Sequence, residues 1–381
     1  MRKTIIATLL VSLFSTGCSG LPKSYSTVDP WQASGEMATN FHNTKLNPAG
    51  SIKDLPRRAP RGDEQRIVAM ADQMFNERPT LSIILVDHGE IIYENYARPS
   101  GPDKPNFSWS MSKSLTAYTI GNMMCDGKIK SLDDKANKYT KDLDGTVYGD
   151  ATIRQLMTMS SGVSTPEHSG NIKPNSTAMD NEWMELRANS TTTKAVLKAY
   201  GSRGRDKAGN PIAAGTVFNY NAGDALAAGN IADNQGGMVE NFQHYIWNNI
   251  GAESPGYWLV DPNGSAMSMA GFSATTRDWA RLAMYSMKQM KSGSPCMQSF
   301  MKQATTPQIE NVSKRVGEQY AGYGFFTWIL NKGPRPSYWW AGYGGQRVGV
   351  DPVKERIIVV TSSRESYMGT ISKVFNAWQE L

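Results

Sequence analysis

Apolar positions along this chain change period several times, and each change marks a new element. The first run, Thr4 to Phe14, is continuous, mainly apolar and short, and it ends in the small residues Ser15-Thr16-Gly17-Cys18. Residues 19–62 are polar and rich in Pro, Gly, Asn and Ser, the pattern of a tether. Helical spacing begins at Ile67 and runs to Asn76. Ser82-Ile83-Ile84-Leu85-Val86 and Ile91-Ile92-Tyr93 are β-rich runs separated by Asp87-His88-Gly89-Glu90. They predict an antiparallel hairpin turned at His88-Gly89, which makes His88 a turn residue before it is a ligand.

From Ser110 to Asp126 the period is helical again. Leu115, Tyr118, Ile120, Met123 and Met124 fall nearly all round the wheel, so this helix is expected to be buried, with Gly127 as its stop. Thr152-Ile153-Arg154-Gln155 has the form of a capping box and opens a short helix through Met159. Residues 164–215 are polar and irregular apart from a helix around Thr192 to Ala199, and Ser273 to Met290 is helical. The C-terminal third turns β-rich: Gly324 to Leu330, Tyr338 to Trp340, Arg347 to Val350 and Ile357 to Thr361 read as strands. A helix from about Ser372 to Leu381 closes the chain. Strands at both ends with helices between them predict an α+β domain over residues 63–381. Its antiparallel sheet is built from both termini and flanked by helices, with an inserted, mainly helical region.

The N-terminal run changes where this domain is expected to be. Arg2 and Lys3 precede it, and it is too short for a standing membrane span, so residues 1–18 read as a secretory signal peptide. Its end resembles a bacterial lipobox, in which Cys18 would become the lipidated first residue. Gly17 fits that pattern; Ser15, where lipoboxes favour Leu, does not, and cleavage near Gly20 is the alternative. With Ser19 next, the resemblance implies a lipid-anchored protein on the periplasmic face of the outer membrane, or otherwise a periplasmic one.

Composition narrows the function classes. The 381 residues carry a net charge of +6 that is spread along the chain with no Lys/Arg block, which argues against a nucleic-acid partner. His42, His88, His168 and His244 are far apart and form no metal-ligand spacing, so a zinc enzyme is not expected. Cys125 and Cys296 would remain after processing, and their spacing does not say whether they pair.

The sharpest chemical signal is Ser110-Met111-Ser112-Lys113 at the start of the buried helix. Residues three apart on a helix share a face, so hydroxyl and ammonium can meet. The helix N-terminus favours an alkoxide, and a Lys in a dry site can lose its proton near neutral pH. The tetrapeptide alone says little, because Ser299-Phe300-Met301-Lys302 repeats it where an exposed Ser and a solvated Lys are expected. A plain capping serine is the bland alternative for Ser110.

Beyond that pair, the chain resembles the serine β-lactamase-like superfamily: class C β-lactamases, penicillin-binding proteins, family VIII-type esterases and 6-aminohexanoate-dimer hydrolases. The resemblance spans about residues 63–381 and rests on segments in family order. These are Asp87-His88-Gly89, Trp109 to Ser114, Ser131 to Asp134, Thr152 to Gly162, Phe218 to Asn221, Thr276 to Arg281, and Gly342-Tyr343-Gly344-Gly345-Gln346. It implies Ser110 as nucleophile, Lys113 beside it, and Tyr220 as the third proton-handling group. The family's Y-x-N motif is altered, with Ala222 in the Asn position and Asn221 one residue early, while the literal Tyr93-Glu94-Asn95 lies on the hairpin, before the nucleophile. The resemblance also implies an oxyanion hole from the backbone N–H groups of Ser110 and Gln346, with Tyr343, Gly344 and Gly345 lining the substrate.

Tyr343 stands where a cation usually anchors a substrate carboxylate, which tilts the expectation from penicillins to esters or neutral-ended amides. The nylon-oligomer branch is credited with an extra Tyr after the Ser160-Ser161-Gly162 turn, whereas this chain has only Trp183 there, with Glu167 and His168 as polar loop residues. The expected function is acyl-enzyme hydrolysis of a small ester or amide, a chemistry that requires no metal or organic cofactor. A penicillin-binding D-amino-acid peptidase or β-lactamase-like enzyme, and a non-catalytic ligand-binding envelope lipoprotein, remain the alternatives.

Overall fold

The computed structural model describes residues 42–164, 191–309, 320–330, 332–363 and 367–381, and in it the β-rich runs from the two ends of the chain meet in one sheet. Its N-terminal strands are β2 (Thr80–Asp87) and β3 (Glu90–Tyr96); β1 (Asn43–Leu46), β4 (Asn106–Phe107), β5 (Gly256–Leu259) and β6 (Phe272–Ala274) lie outside it. The C-terminal strands are β7 (Gly322–Tyr323), β8 (Trp328–Leu330), β9 (Ser337–Gly342), β10 (Gln346–Asp351) and β11 (Arg356–Ser362). The seven-stranded order is β3-β2-β11-β10-β9-β8-β7, and every pairing is antiparallel. The expected α+β architecture is therefore present. The β2–β3 hairpin closes at His88 (φ 49°) and Gly89 (φ 84°), the two positive angles a tight two-residue turn needs.

Both faces of this sheet are covered. Adjacent strand residues point to opposite sides, and Trp339 meets Phe375 of the C-terminal helix Met368–Gln379 while Trp340 meets Trp279 and Tyr118. Trp279 lies on helix Thr276–Ser292 and Tyr118 on helix Met111–Cys125, so the sheet is packed between helical layers. That explains why β2 and β11 are buried along their whole length and read as continuous apolar runs.

Several boundaries differ from the sequence expectation. Residues 43–62 are part of the domain and do not belong to a tether, as β1 pairs with β5 and Leu46 is fully buried. Arg58, in the same stretch, bonds Glu64 at 2.6 Å and Asp87 at 2.5 Å. Backbone pairing, ion pairs and two leucines, Leu46 and Leu55, hold this segment, so its largely polar composition does not mark it as part of the domain. β1 belongs to a second, four-stranded sheet of order β1-β5-β6-β4, whose strands are too short to show a period. The helix expected from Ser273 starts at Thr276, with Thr275 as its cap, because Phe272–Ala274 is strand. The run Gly324 to Leu330 is not one strand: the chain turns at Phe326 (φ 49°) between β7 and β8. Phe325 and Phe326 are buried, so that turn is apolar because it points into the core.

Cys125 and Cys296 are joined, with Cα atoms 5.7 Å apart, tying helix Met111–Cys125 to helix Pro295–Ala304. Residues 1–41, with Cys18 and the signal-peptide reading, lie outside the described residues, as do Glu167, His168 and Trp183.

Candidate functional site

Ser110 is the N-cap of helix Met111–Cys125, yet its hydroxyl makes no capping bond. The caps at Thr152, Thr192, Asn221, Thr275 and Ser294 all accept a backbone N–H. Ser110 Oγ instead meets Lys113 Nζ at 2.8 Å and is hydrogen-bonded to Tyr220. The residue before it, Trp109, has φ 49°, a conformation that costs a bulky residue about 1–3 kcal/mol. Ser108 and Ser112 brace that turn: their hydroxyls are 2.7 Å apart and each lies 2.9 Å from the Trp109 carbonyl, so one donates to that carbonyl and the other to its neighbour's hydroxyl. The Phe272 N–H donates to Ser112 Oγ at 3.2 Å, tying the turn to β6.

Lys113 is buried with two oxygen partners, Ser110 Oγ and the Met269 carbonyl at 2.7 Å. Burial pushes its pKa down from the ordinary lysine value to about 7. At that value an appreciable fraction is the free amine, which can donate to Met269 and accept the Ser110 proton. Tyr220 lies on the far side, with Lys113 Nζ 5.2 Å from its ring centre. Its phenol is pushed up to about 12, burial outweighing the lowering influence of the Ser110 bond and the Arg347 charge. The ring stacks on Trp328 at 5.3 Å, and Trp328 also meets Tyr320 and Tyr323 at 4.4 and 4.7 Å. This aromatic wall explains how a partly exposed side chain can sit in a dry environment.

The Tyr343-Gly344-Gly345 turn joins β9 to β10, with Gly344 at φ 69° and Gly345 at φ 95°. It is set directly against the nucleophile segment. A Cβ on Gly342 would lie 2.1 Å from the Ser108 carbonyl oxygen, so only glycine permits this approach. Tyr343 is 69% exposed and packs edge-on to Trp109 at 5.3 Å. The Gln346 side chain is buried against β11, its Nε2 donating to the Ser362 carbonyl at 2.8 Å and its Oε1 accepting from the Ser362 N–H at 3.2 Å. The same Nε2 also donates to the Gly344 carbonyl within the turn, at 3.4 Å.

Asn221, the displaced residue of the altered Y-x-N motif, is a helix cap. Its Oδ1 accepts the Asp224 N–H at 2.8 Å and its Nδ2 donates to the Asn219 carbonyl at 2.7 Å. Tyr93 donates to Asp72 at 2.8 Å on the hairpin and takes no part in this cluster. Ser299 and Lys302 are exposed on helix Pro295–Ala304. The sequence reading did not reach the Met269 carbonyl, the Ser108/Ser112 brace or Arg347. The first has no side-chain signature at all.

The site is thus a Ser–Lys–Tyr cluster at a helix N-terminus, with Lys113 buried and Ser110 and Tyr220 partly exposed, set against the β9–β10 turn of the antiparallel sheet. The beta-lactamase family model matches residues 68–372, and the chain belongs to that family. It is 22% identical over 365 residues to a 6-aminohexanoate-dimer hydrolase of Paenarthrobacter ureafaciens, covering 88% of each chain. A Bacillus anthracis structure provisionally given the same name aligns with a TM-score of 0.69 at 22% identity, over 92% of each chain. A class C beta-lactamase aligns with a TM-score of 0.62 at 16% identity, over 84% of this chain and 98% of that one. Identities this low carry the fold and leave the substrate open.

Proposed function

We propose that this chain is a serine hydrolase that cleaves a small ester or neutral-ended amide through an acyl-enzyme on Ser110. The observation that carries the reading is the buried Lys113, 2.8 Å from Ser110 Oγ, with its pKa lowered to about 7. In the first step the neutral amine takes the Ser110 proton as Oγ attacks the carbonyl carbon. The carbonyl oxygen becomes an oxyanion held by the backbone N–H groups of Ser110 and Gln346. Tyr220, protonated at neutral pH because its pKa is about 12, passes a proton to the departing oxygen or nitrogen. Water then attacks the acyl-enzyme, giving a proton to the Tyr220 phenolate, while the Lys113 ammonium returns its proton to the departing Ser110 Oγ, which restores all three groups. Lys113 is the base in this scheme, which its lowered pKa supports, and Tyr220 is the acid, which its protonated state at neutral pH supports.

The turn beside the nucleophile supports this substrate class. Tyr343, Gly344 and Gly345 present an exposed aromatic ring and two glycine backbones where a carboxylate anchor would need a cation. Cys18 is proposed as a lipid attachment point on the periplasmic face of the outer membrane, which radiolabelled palmitate and a Cys18→Ser control would test.

The deciding experiment is intact mass after exposure to a fluorophosphonate, on wild type and Ser110→Ala. One adduct on wild type and none on the variant is expected; no adduct on either sinks the hydrolase reading. A panel of p-nitrophenyl esters against a penicillin then separates the branches. Stable acylation by the penicillin would overturn the substrate class proposed here.

A further inference from the structure

Arg347 is the second residue of β10, buried, and it follows the proposed oxyanion donor directly. One guanidinium nitrogen, Nη1, donates to the Gly342 carbonyl at 2.6 Å and to the Gln346 carbonyl at 2.7 Å. Those carbonyls belong to the two residues that flank the Tyr343-Gly344-Gly345 turn, which are register partners in the β9–β10 hairpin. The same side chain is hydrogen-bonded to Tyr320, whose ring packs on Trp328 beside Tyr220. Arg347 therefore joins the turn on one side of Ser110 to the aromatic wall on the other.

A charged donor at these carbonyls alters what the hairpin needs from its own backbone. In a three-residue hairpin loop the residues flanking the turn ordinarily close on each other, the N–H of the second donating to the carbonyl of the first. Here that pair is Gln346 and Gly342, and the Gly342 carbonyl already has a short, charge-assisted donor. Two consecutive glycines at positive φ make the intervening turn soft, so something outside it must set its shape.

We propose that Arg347 is a positioning residue for the oxyanion hole: by occupying the carbonyls on both sides of the turn, it frees the Gln346 N–H to point at Ser110. The inference deepens the hydrolase reading and rests on it for its catalytic consequence. Arg347 touches neither the acyl group nor the leaving group in this scheme. Its effect is on kcat, because an oxyanion donor acts mainly in the transition state.

The test uses a feature of the sequence: Gly345-Gln346 is the single Gly-Gln dipeptide in the chain. Carbonyl-13C glycine with 15N glutamine isolates the Gln346 amide in the spectrum of the whole protein. In wild type this amide should exchange freely with solvent. In Arg347→Met, where the Gly342 carbonyl is released to it, exchange should slow about tenfold or more. In parallel kcat on a p-nitrophenyl ester should fall about 10²–10³-fold, the loss typical of one oxyanion donor, with KM within about threefold. Arg347→Lys, which keeps a donor near the same carbonyls, should recover part of both.

A protected Gln346 amide in wild type overturns the inference whatever the variants do, including an Arg347→Met that fails to fold. A folded Arg347→Met with unchanged exchange and kcat within about threefold of wild type overturns it equally. A wild type that no fluorophosphonate labels defeats the hydrolase reading instead and takes the catalytic consequence with it; the amide comparison still judges the clamp alone.

Discussion

The chain carries the same S-x-x-K pattern twice, each time on a helix, and the two copies have opposite surroundings. Ser110 and Lys113 open a helix that runs into the core. Lys113 is 3% exposed and bonded to Ser110 and to the Met269 carbonyl. Ser299 and Lys302 lie within helix Pro295–Ala304, both exposed, on the rim of an open groove of about 580 Å³. Identical spacing gives both pairs the chance to meet. Only the first has the dry surroundings that bring an amine near neutrality and the helix N-terminus that favours an alkoxide. The pattern supplies reach; the environment supplies chemistry. A hollow beside the second pair does not change that, because a hydrated ammonium remains a poor base.

The comparison breaks most sharply at the nucleophile. Ser110→Ala should lower kcat on any accepted ester about 10⁴–10⁶-fold and abolish fluorophosphonate labelling, since the lost group forms the covalent bond. Intact mass and initial rates check this together. Lys113→Met comes next, at about 10²–10⁴-fold in acylation rate, the range for a lost general base. Its pH dependence carries the sharper test. Lys113 titrates at about 7, and only its neutral form can accept the Ser110 proton. Labelling of wild type should therefore rise with pH through about 7 and level off above it. In Lys113→Met that step should vanish, and a step surviving at the same pH would move the base elsewhere.

Tyr220→Phe should cost about 10²-fold, and the loss should depend on the leaving group. p-Nitrophenolate departs without a proton and should be affected least; an alkoxide or amine needs one and should be affected most. Equal losses on both substrates would remove Tyr220 from the acid role. The Phe ring keeps the stacking on Trp328, so the variant should retain the wild-type melting temperature within a few degrees.

How far these residues could be read in advance depended on the kind of signal each leaves. The hairpin at His88-Gly89, the capping box at Thr152 and the buried helix after Ser110 each write a local period or turn signature, and each stands within a few residues of its expected place. Ser110 and Lys113 are three residues apart, so their meeting was written in the helix itself. Tyr220 was reached only through family order, because its contact with Ser110 spans the fold. The Met269 carbonyl and the β1 pairing are backbone interactions, open to any residue type, and nothing in composition marks them. The buried turn at Phe326 was hidden for the opposite reason, as its apolar residues mimic a strand.

The disulfide bears on the contrast from another side, since it ties the far end of the active helix to the helix that carries the second S-x-x-K. Cys125→Ala with Cys296→Ala should destabilise the fold by about 2–4 kcal/mol, seen as a melting temperature lower by several degrees. The bond lies at the opposite end of helix Met111–Cys125 from Ser110, so kcat/KM on an ester below the transition should stay within about twofold. A large loss of activity in the fully folded variant would mean that the position of Ser110 depends on this distant tie.

The smallest expected effect tests the comparison most directly. Ser299→Ala with Lys302→Met should leave ester kcat/KM within about twofold, and stability within about 0.5 kcal/mol, as for ordinary surface substitutions. A fluorophosphonate should give one adduct on this double variant, as on wild type, and peptide mapping should place it on Ser110 in both. The outcome matters because wild type presents both hydroxyls to the same reagent in the same tube, with a lysine three residues away in each case. If Ser299 were labelled at a rate comparable to Ser110, S-x-x-K spacing on a helix would itself suffice for activation. The burial of Lys113, the Met269 carbonyl and the Tyr220 contact would then lose their claim on the chemistry. Labelling confined to Ser110 assigns the activation to those surroundings, with the rest of the molecule as the internal control.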